Sequence, residues 1–205
     1  MARDRGSIVK MSRREGYALH PKAHKALVKR PTPPGQQSSR TRPAKSSQYS
    51  LQLREKQKVK RLYGLLERQF SNLMKESNRH QGQSGEILLQ LLESRIDNAV
   101  YRAGFAPSRR AARQLVSHGH FLLNERRVDI PSIQLKPKDK VQFRPHSLSS
   151  SYFKNLDDIS PAPPSIPDWI SVNRKKGEVL VQTLPTRDDA EPDINEQLIV
   201  EYYSR

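Results

Sequence analysis

The chain has 205 residues, 34% of them apolar, no cysteine, and a formal net charge of +16 at pH 7. The missing thiols exclude disulfides, thiolate zinc centres and cysteine nucleophiles, and the apolar fraction is low for one compact globule of this length. The charge is graded, with 16 Lys and Arg against 3 acids in residues 1–60, 15 against 8 in 61–150 and 6 against 10 in 151–205; a basic arm and platform beside an acidic tail point to a polyanion, foremost nucleic acid, and a protein as partners.

Residues 1–49 hold few and scattered apolar side chains, and Pro31, Pro33, Pro34, Gly35 and Pro43 interrupt helical periodicity, which predicts a basic extended N-terminal arm with no core of its own. Its opening, MARDRGSIVK, lacks a signal-sequence apolar stretch, and no later run approaches bilayer length, so a protein that is soluble or sequestered in an assembly is expected, without membrane contact. His20 and His24 stand at helical spacing, yet no thiol or acid beside them completes a metal site. From Ser50 to Met74, SLQLREKQKVKRLYGLLERQFSNLM sets Val59, Leu62, Leu66, Phe70 and Leu73 in one stripe and predicts a single long amphipathic helix. Arg54, Arg61, Arg68 and Lys75 recur every seven residues on the opposite side, with few acids between them to form supportive ion pairs. Gly64 inside that helix costs about 1 kcal/mol relative to Ala, for which close packing against another element is a reason. Residues 77–86 form a polar loop.

The next stretch concentrates the arginines. Apolar residues at Leu88, Leu91, Leu92, Ile96, Ala99, Val100 and Ala103 follow a helical period that stops at Gly104. Pro107 bars an incoming helix, Ser108 can cap the next one, and Ala111, Ala112, Leu115 and Val116 give that short helix its apolar side before Gly119 ends it. Arg109, Arg110 and Arg113 then add three guanidinium groups to a helix start whose N–H groups already favour an anion. Phe121 to Leu123 and Arg127 to Ile130 flank an Asn-led turn and read as a hairpin; Leu135, Val141 and Phe143 continue a small sheet with a basic rim of Lys136, Lys138, Lys140 and Arg144. Serines 147 and 149–151 read as a linker, and PAPPSIP breaks any helix begun at Tyr152. EVLVQTL is strand-like, and Ile194, Leu198, Ile199 and Tyr202 suit a helix docked by its apolar side.

No catalytic constellation emerges. The acid pairs Asp157–Asp158 and Asp188–Asp189 lie in polar, Pro-rich surroundings that give two carboxylates no contrasting environments, and no phosphate loop, nucleophile elbow or H-E-x-x-H is present. His118 and His120 flank a helix-ending glycine, a setting that favours a place beside a nucleic-acid face over a metal pair. Aromatic content is low, so recognition is expected to depend on RNA shape and phosphate placement instead of base stacking. No enzyme activity, cofactor or metal is expected.

LESRIDNAVYRAGFAPSRRAARQLVSHGH, followed by a strand, an Asn-led turn and VDIPS, resembles the S-four RNA-binding domain as carried by the ribosomal S-four family of bacteria. GSIVKMSRREG, RPTPPGQ, LREKQKVKRLYGLLERQF and the terminal INEQLIVEYYSR resemble the same family, so the likeness spans most of the chain. It implies an α+β protein with a basic extended N-terminal arm (1–49), a mainly helical domain (50–91 and 152–205) and a small α/β S-four RNA-binding domain with antiparallel strands (92–151). Many family members hold the arm with four cysteines around zinc; here Val9 and Ser12 stand where the first pair would be, so this version lacks the zinc site. Two turns also depart from the pattern, with Glu125 in place of Gly after Asn124 and Lys138 in place of Gly before Asp139, which removes the residue that most easily takes positive φ.

By matching positions, the resemblance implies RNA contacts for Arg95, Arg102, Arg109, Arg110, Arg113, His118 and His120, extended by Arg54, Lys58 and Arg61 on the helical domain. It further implies a structural role in the small ribosomal subunit, binding a helix junction of the 5′ domain of 16S ribosomal RNA early in assembly. A contact with the fifth small-subunit protein that bears on decoding accuracy follows from it, as does a lining for the channel by which messenger RNA enters, near Arg40, Arg42 and Lys45. Two alternatives share the RNA-binding module. One is an RNA-modifying enzyme or transfer-RNA synthetase, which needs a catalytic domain that the roughly 55 residues after the module do not offer; the other is a stress-related RNA chaperone, which the arm and C-terminal likeness disfavour.

Overall fold

The computed structural model describes residues 6–35 and 47–204. In chain order the helices are α1 (Ile8–Glu15), α2 (Pro21–Lys29), α3 (Gln48–Leu62), α4 (Glu67–Ser77), α5 (Ser84–Glu93), α6 (Ile96–Arg102), α7 (Arg109–Ser117), α8 (Ser151–Lys154), α9 (Leu156–Ile159) and α10 (Glu196–Tyr203). The strands are β1 (Phe121–Leu123), β2 (Arg126–Val128), β3 (Lys140–Phe143), β4 (Ile170–Asn173) and β5 (Glu178–Val181). The chain forms two compact units, Met1–Gly85 with Asp193–Arg205, and Glu86–Pro192. The α+β class expected from the sequence is the class observed.

The first unit is helical among its described residues, and that overturns the extended arm over residues 8–29. Ser12 is buried in α1, where its Oγ donates to the Ile8 carbonyl (2.8 Å) and accepts from the Leu19 amide (3.3 Å); with Leu19 and Ala23 also buried, two short helices seat themselves on a few small contacts. The sequence pattern missed them because their apolar residues are too few to show a stripe. His20 is the N-cap of α2, its Nδ1 accepting from the Lys22 amide at 3.0 Å ahead of Pro21, so its place is explained by helix initiation.

The single helix expected from Ser50 to Met74 is two helices, α3 and α4. Gly64 has φ +66° and the Leu65 amide reaches back to the Lys60 carbonyl (2.9 Å) while Gly64 bonds Arg61 (3.2 Å), a Schellman ending that satisfies the last carbonyls of α3. A Cβ built on Gly64 meets nothing within 4 Å, so the glycine supplies backbone conformation and not the close packing expected for it. α10 packs on α3 through buried Ile199, with Ile194 buried just before it, and Phe70 of α4 stacks against Tyr203 with ring centroids 6.2 Å apart.

The second unit is built on a five-stranded antiparallel sheet in the order β2-β1-β3-β5-β4. Phe121 opposes Phe143, Val141 opposes Val179 and Ile170 opposes Val181, so one face carries the apolar rows. That face shares a core with Ile96, Ala99, Val100 and Ala103 of α6, Ala112 and Val116 of α7, and Phe105, Phe153, Leu156 and Trp169. Residues 152–192, grouped from sequence with the helical domain, contribute β4 and β5 to this sheet, because Val179 and Val181 alternate inward against Ile170. The serine-rich stretch expected as a linker is a 3-10 turn (Pro145–Ser149) followed by α8 and α9, pinned by buried Ser147, Phe153 and Leu156. The helical run toward Gly104 is interrupted too: Arg95 is extended, and the Ile96 amide bonds Ile133 (2.9 Å) while the Leu135 amide bonds Ser94 (2.8 Å), which separates α5 from α6. Asn124 and Glu125 have positive φ (48° and 68°), as does Lys138 (75°), so both turns take the left-handed conformation without glycine.

Candidate nucleic-acid interface

Ser108 caps α7 as expected, its Oγ accepting from the Ala111 amide at 3.2 Å, and the burial of Ala112 and Val116 fixes the helix about its axis. The arginines of α6 and α7 are thereby set beside two carboxylates, Glu93 at the end of α5 and Asp97 in the first turn of α6. Glu93, with a side chain 0% exposed, receives Arg102 through Nε (3.1 Å) and Nη2 (2.8 Å) and the Asn98 amide at 2.7 Å. Asn98 Oδ1 accepts from Arg109 Nε (2.8 Å), while the Arg109 guanidinium lies 4.7 Å from the centroid of the Tyr101 ring. Asp97 receives Arg113 at 3.4 Å. A buried carboxylate is costly unless paired and hydrogen-bonded; here each pays for its burial by orienting arginines, a charge-assisted lattice that holds their planes in place.

Arg95 does not belong to the surface. It is 2% exposed, its Nε and Nη2 fork onto Asp97 at 3.0 and 2.7 Å, and Nη2 also donates to the Pro131 carbonyl, so it braces the interior and is set apart from the arginines that reach the surface. Arg110 and His118 are exposed, and His120 is half-buried with Nδ1 3.0 Å from the Ser147 hydroxyl. Burial, joined by the charges of His118 and Arg144, lowers the His120 pKa and favours a neutral imidazole.

Arg126, Arg127, Lys136 and Lys138 are also exposed in this unit. In the sequence Arg126 reads as part of the turn and Arg127 as a strand residue, so neither stands out as a site residue; adjacent charges on a short edge strand are the available signal. Arg127 lies over Gly119, where a Cβ would come within 2.6 Å of its Nε, so the glycine that ends α7 also makes room for a guanidinium.

In the first unit, Arg54 and Arg61 both pair through Nη1 with Glu15, whose side chain is sealed from solvent. Burial raises the Glu15 pKa against the pull of the two arginines. Lys58 bonds Glu55 at 2.8 Å and the Asp193 carbonyl at 2.6 Å and lies over the Tyr17 ring. These three side chains are held within their unit, Arg54 being the most open with 38% of its side chain exposed. Glu67 gathers Lys56 (2.7 Å), Lys60 (2.9 Å) and the Tyr203 hydroxyl (2.9 Å); burial pushes its pKa up, but those bonds prevail and bring it to about 2. The end of α3 separates Arg68 and Lys75 from the row begun by Arg54 and Arg61. Arg40, Arg42 and Lys45 lie outside the described residues.

Among the described residues no group of three His, Asp or Glu side chains is placed to hold a metal ion, and no helix is long and apolar enough to cross a membrane. One member of each acid pair is engaged in structure: Asp157 bonds Arg174 at 2.8 Å, and Asp189 accepts from both the amide and the hydroxyl of Thr186.

A family model described as the ribosomal protein S4/S9 N-terminal domain matches residues 3–93, and an S4 domain model matches residues 94–141. The chain is 50% identical to the small ribosomal subunit protein uS4 of Pelodictyon phaeoclathratiforme, 49% to that of Chlorobium limicola and 48% to that of a Roseiflexus species. Each alignment covers 100% of this chain and 100% of the relative.

Proposed function

The chain belongs to the uS4 family of small ribosomal subunit proteins, and from that premise we propose that it binds ribosomal RNA through the arginine lattice of α6 and α7 and thereby organises a helix junction in the 5′ domain of 16S ribosomal RNA during assembly. It is a structural constituent of the small ribosomal subunit, not an enzyme. The observation that carries the RNA reading is the fixing of Arg102, Arg109 and Arg113 on Glu93, Asn98 and Asp97 beside exposed Arg110, Arg126 and Arg127. Guanidiniums already oriented lose little freedom on meeting phosphates, which favours shape recognition of folded RNA over loose attraction.

In this reading Arg54, Lys58 and Arg61 supply phosphate contacts of the helical unit's own, and His118 and His120 contribute beside the arginines of α7. The acidic balance of residues 151–205 supports a protein partner, the fifth small-subunit protein, at a contact bearing on decoding accuracy. Arg40, Arg42 and Lys45 are assigned to the channel by which messenger RNA enters. The protein acts in the cytoplasm within the small subunit.

The test is binding of the full-length protein to a 5′-domain fragment of small-subunit ribosomal RNA and to a folded control RNA of equal length, across a salt series. Both affinities fall with salt through counterion release, so the ratio decides. A large preference at moderate salt that Arg109→Ala with Arg113→Ala reduces supports the reading; equal binding of the two RNAs at every salt concentration sinks it.

A further inference from the structure

The chain leaves α6 at Ala103 and enters α7 at Ser108, and the backbone of that turn is fastened from a distant part of the sequence. The Gly104 carbonyl accepts from Ser160 Oγ at 2.9 Å and from Arg174 Nη1 at 2.8 Å, which occupies both of its lone pairs. The Phe105 carbonyl accepts from the Tyr152 hydroxyl at 3.0 Å. All three donors lie beyond residues 94–141, the stretch matched as an S4 domain.

The fastening is itself fixed. Arg174 Nη2 donates to the Ser160 carbonyl and to Asp157 Oδ1, both at 2.8 Å, so one guanidinium joins the end of α9 to the end of α6. Gly104 has φ +74°, and a Cβ built on it would come 2.4 Å from Pro163 Cδ and 2.8 Å from Arg174 Nη1; the proline-rich segment is thus seated against the turn. Holding the two carbonyls holds the peptide planes on either side of Phe105, and Phe105 and Ala106 are buried. The direction in which the chain reaches the Ser108 cap follows from that.

We propose that Tyr152, Ser160 and Arg174 are positioning residues for RNA recognition, presetting the α6–α7 turn so that α7 presents its arginines at the spacing a folded RNA requires. The bonds to Asn98 and Asp97 orient the guanidinium groups, whereas the carbonyl bonds fix the backbone that carries them. Arg174 gives both Nη2 hydrogens and one on Nη1 to acceptors of its own chain, an arrangement suited to a brace and not to a phosphate contact. A turn released from these bonds regains freedom that docking must remove again, and that cost falls on shape-dependent binding. The proposal rests on the RNA-binding reading given above.

The experiment measures binding of full-length wild type, Arg174→Gln and Tyr152→Phe to the ribosomal fragment and to the control RNA across the salt series, with urea unfolding of each protein. Tyr152→Phe removes one hydroxyl and no charge, so it decides the matter even where Arg174→Gln fails to fold. Both variants are expected to lower the preference for the ribosomal fragment, Tyr152→Phe by about two- to tenfold, the range of one net hydrogen bond, with salt slopes unchanged. A loss of stability alone lowers the folded fraction equally for both RNAs and leaves their ratio at the wild-type value. That unchanged ratio in Tyr152→Phe overturns the proposal, as does a salt slope shallower by roughly one in Arg174→Gln, which would make Arg174 a phosphate contact. Wild type without any preference sinks the RNA reading and the proposal with it, an outcome visible before either variant is measured.

Discussion

Single residues here divide into those that hold the fold and those that face outward, and exposure separates two arginines that the sequence presents alike. Arg95→Ala leaves buried Asp97 with only the longer Arg113 pair, at 3.4 Å, so a loss of about 3 kcal/mol is expected in urea unfolding. Arg110→Ala is expected to weaken RNA binding and to make its logarithmic salt slope shallower by roughly one. Glu125 offers a third case. An L side chain in the left-handed region costs about 1–2 kcal/mol, so Glu125→Gly is expected to raise stability by about 1 kcal/mol with the hairpin register unchanged, as read by denaturation and amide chemical shifts. The register has its own fastening, since Asn124 Oδ1 accepts from the Lys140 amide at 2.9 Å and its Nδ2 donates to Asp139 at 2.8 Å.

Elements in this chain begin and end where local chemistry says they should, with instructive exceptions. α6 and α7 close by the same bonding pattern as α3: the Phe105 amide reaches Val100 and the His120 amide reaches Leu115. Gly104 and Gly119 were readable as stops because Pro107 and the hairpin follow them; Gly64 was not, because apolar periodicity continues across it into α4. Gly64→Ala is expected to cost about 1–2 kcal/mol through backbone conformation alone. Gly177→Ala is expected to cost more and to loosen the β3–β5 pairing, since a Cβ there would lie 2.1 Å from the Phe143 ring, and hydrogen exchange at Phe143 should report it.

Contacts among α3, α4 and α10 also carry a pH dependence. Glu67 has a folded pKa of about 2 against an ordinary 4.5, so its contribution is present above pH 4.5 and lost as pH falls toward 2. Glu15 has the opposite sign, its raised pKa favouring the folded state as it takes up a proton. Glu67→Gln is accordingly expected to flatten the decline in stability below pH 4.5, whereas Glu15→Gln removes a compensating rise and steepens it; acid titrations followed by circular dichroism distinguish the two.

At the scale of the whole molecule, sequence alone determined the polyanion partner, the α+β class, the capped arginine helix, the hairpin and the C-terminal helix. Each is written in something local: net charge, a cap at Ser108, a stop at Gly119, alternation over a few residues, or a run long enough to resemble a family. Only the tertiary structure decided that residues 152–192 complete the sheet, that α5 and α6 part at Arg95, that residues 8–29 fold as helices, and which carboxylates hold which arginines. Strand pairing joins Glu178 to Gln142 across 36 residues, and Glu191 meets Arg109 across 82. Local periodicity carries no information about which distant segment will supply a hydrogen-bonding edge, or whether a guanidinium finds a carboxylate or solvent, because both are settled by the long-range burial that closes the core.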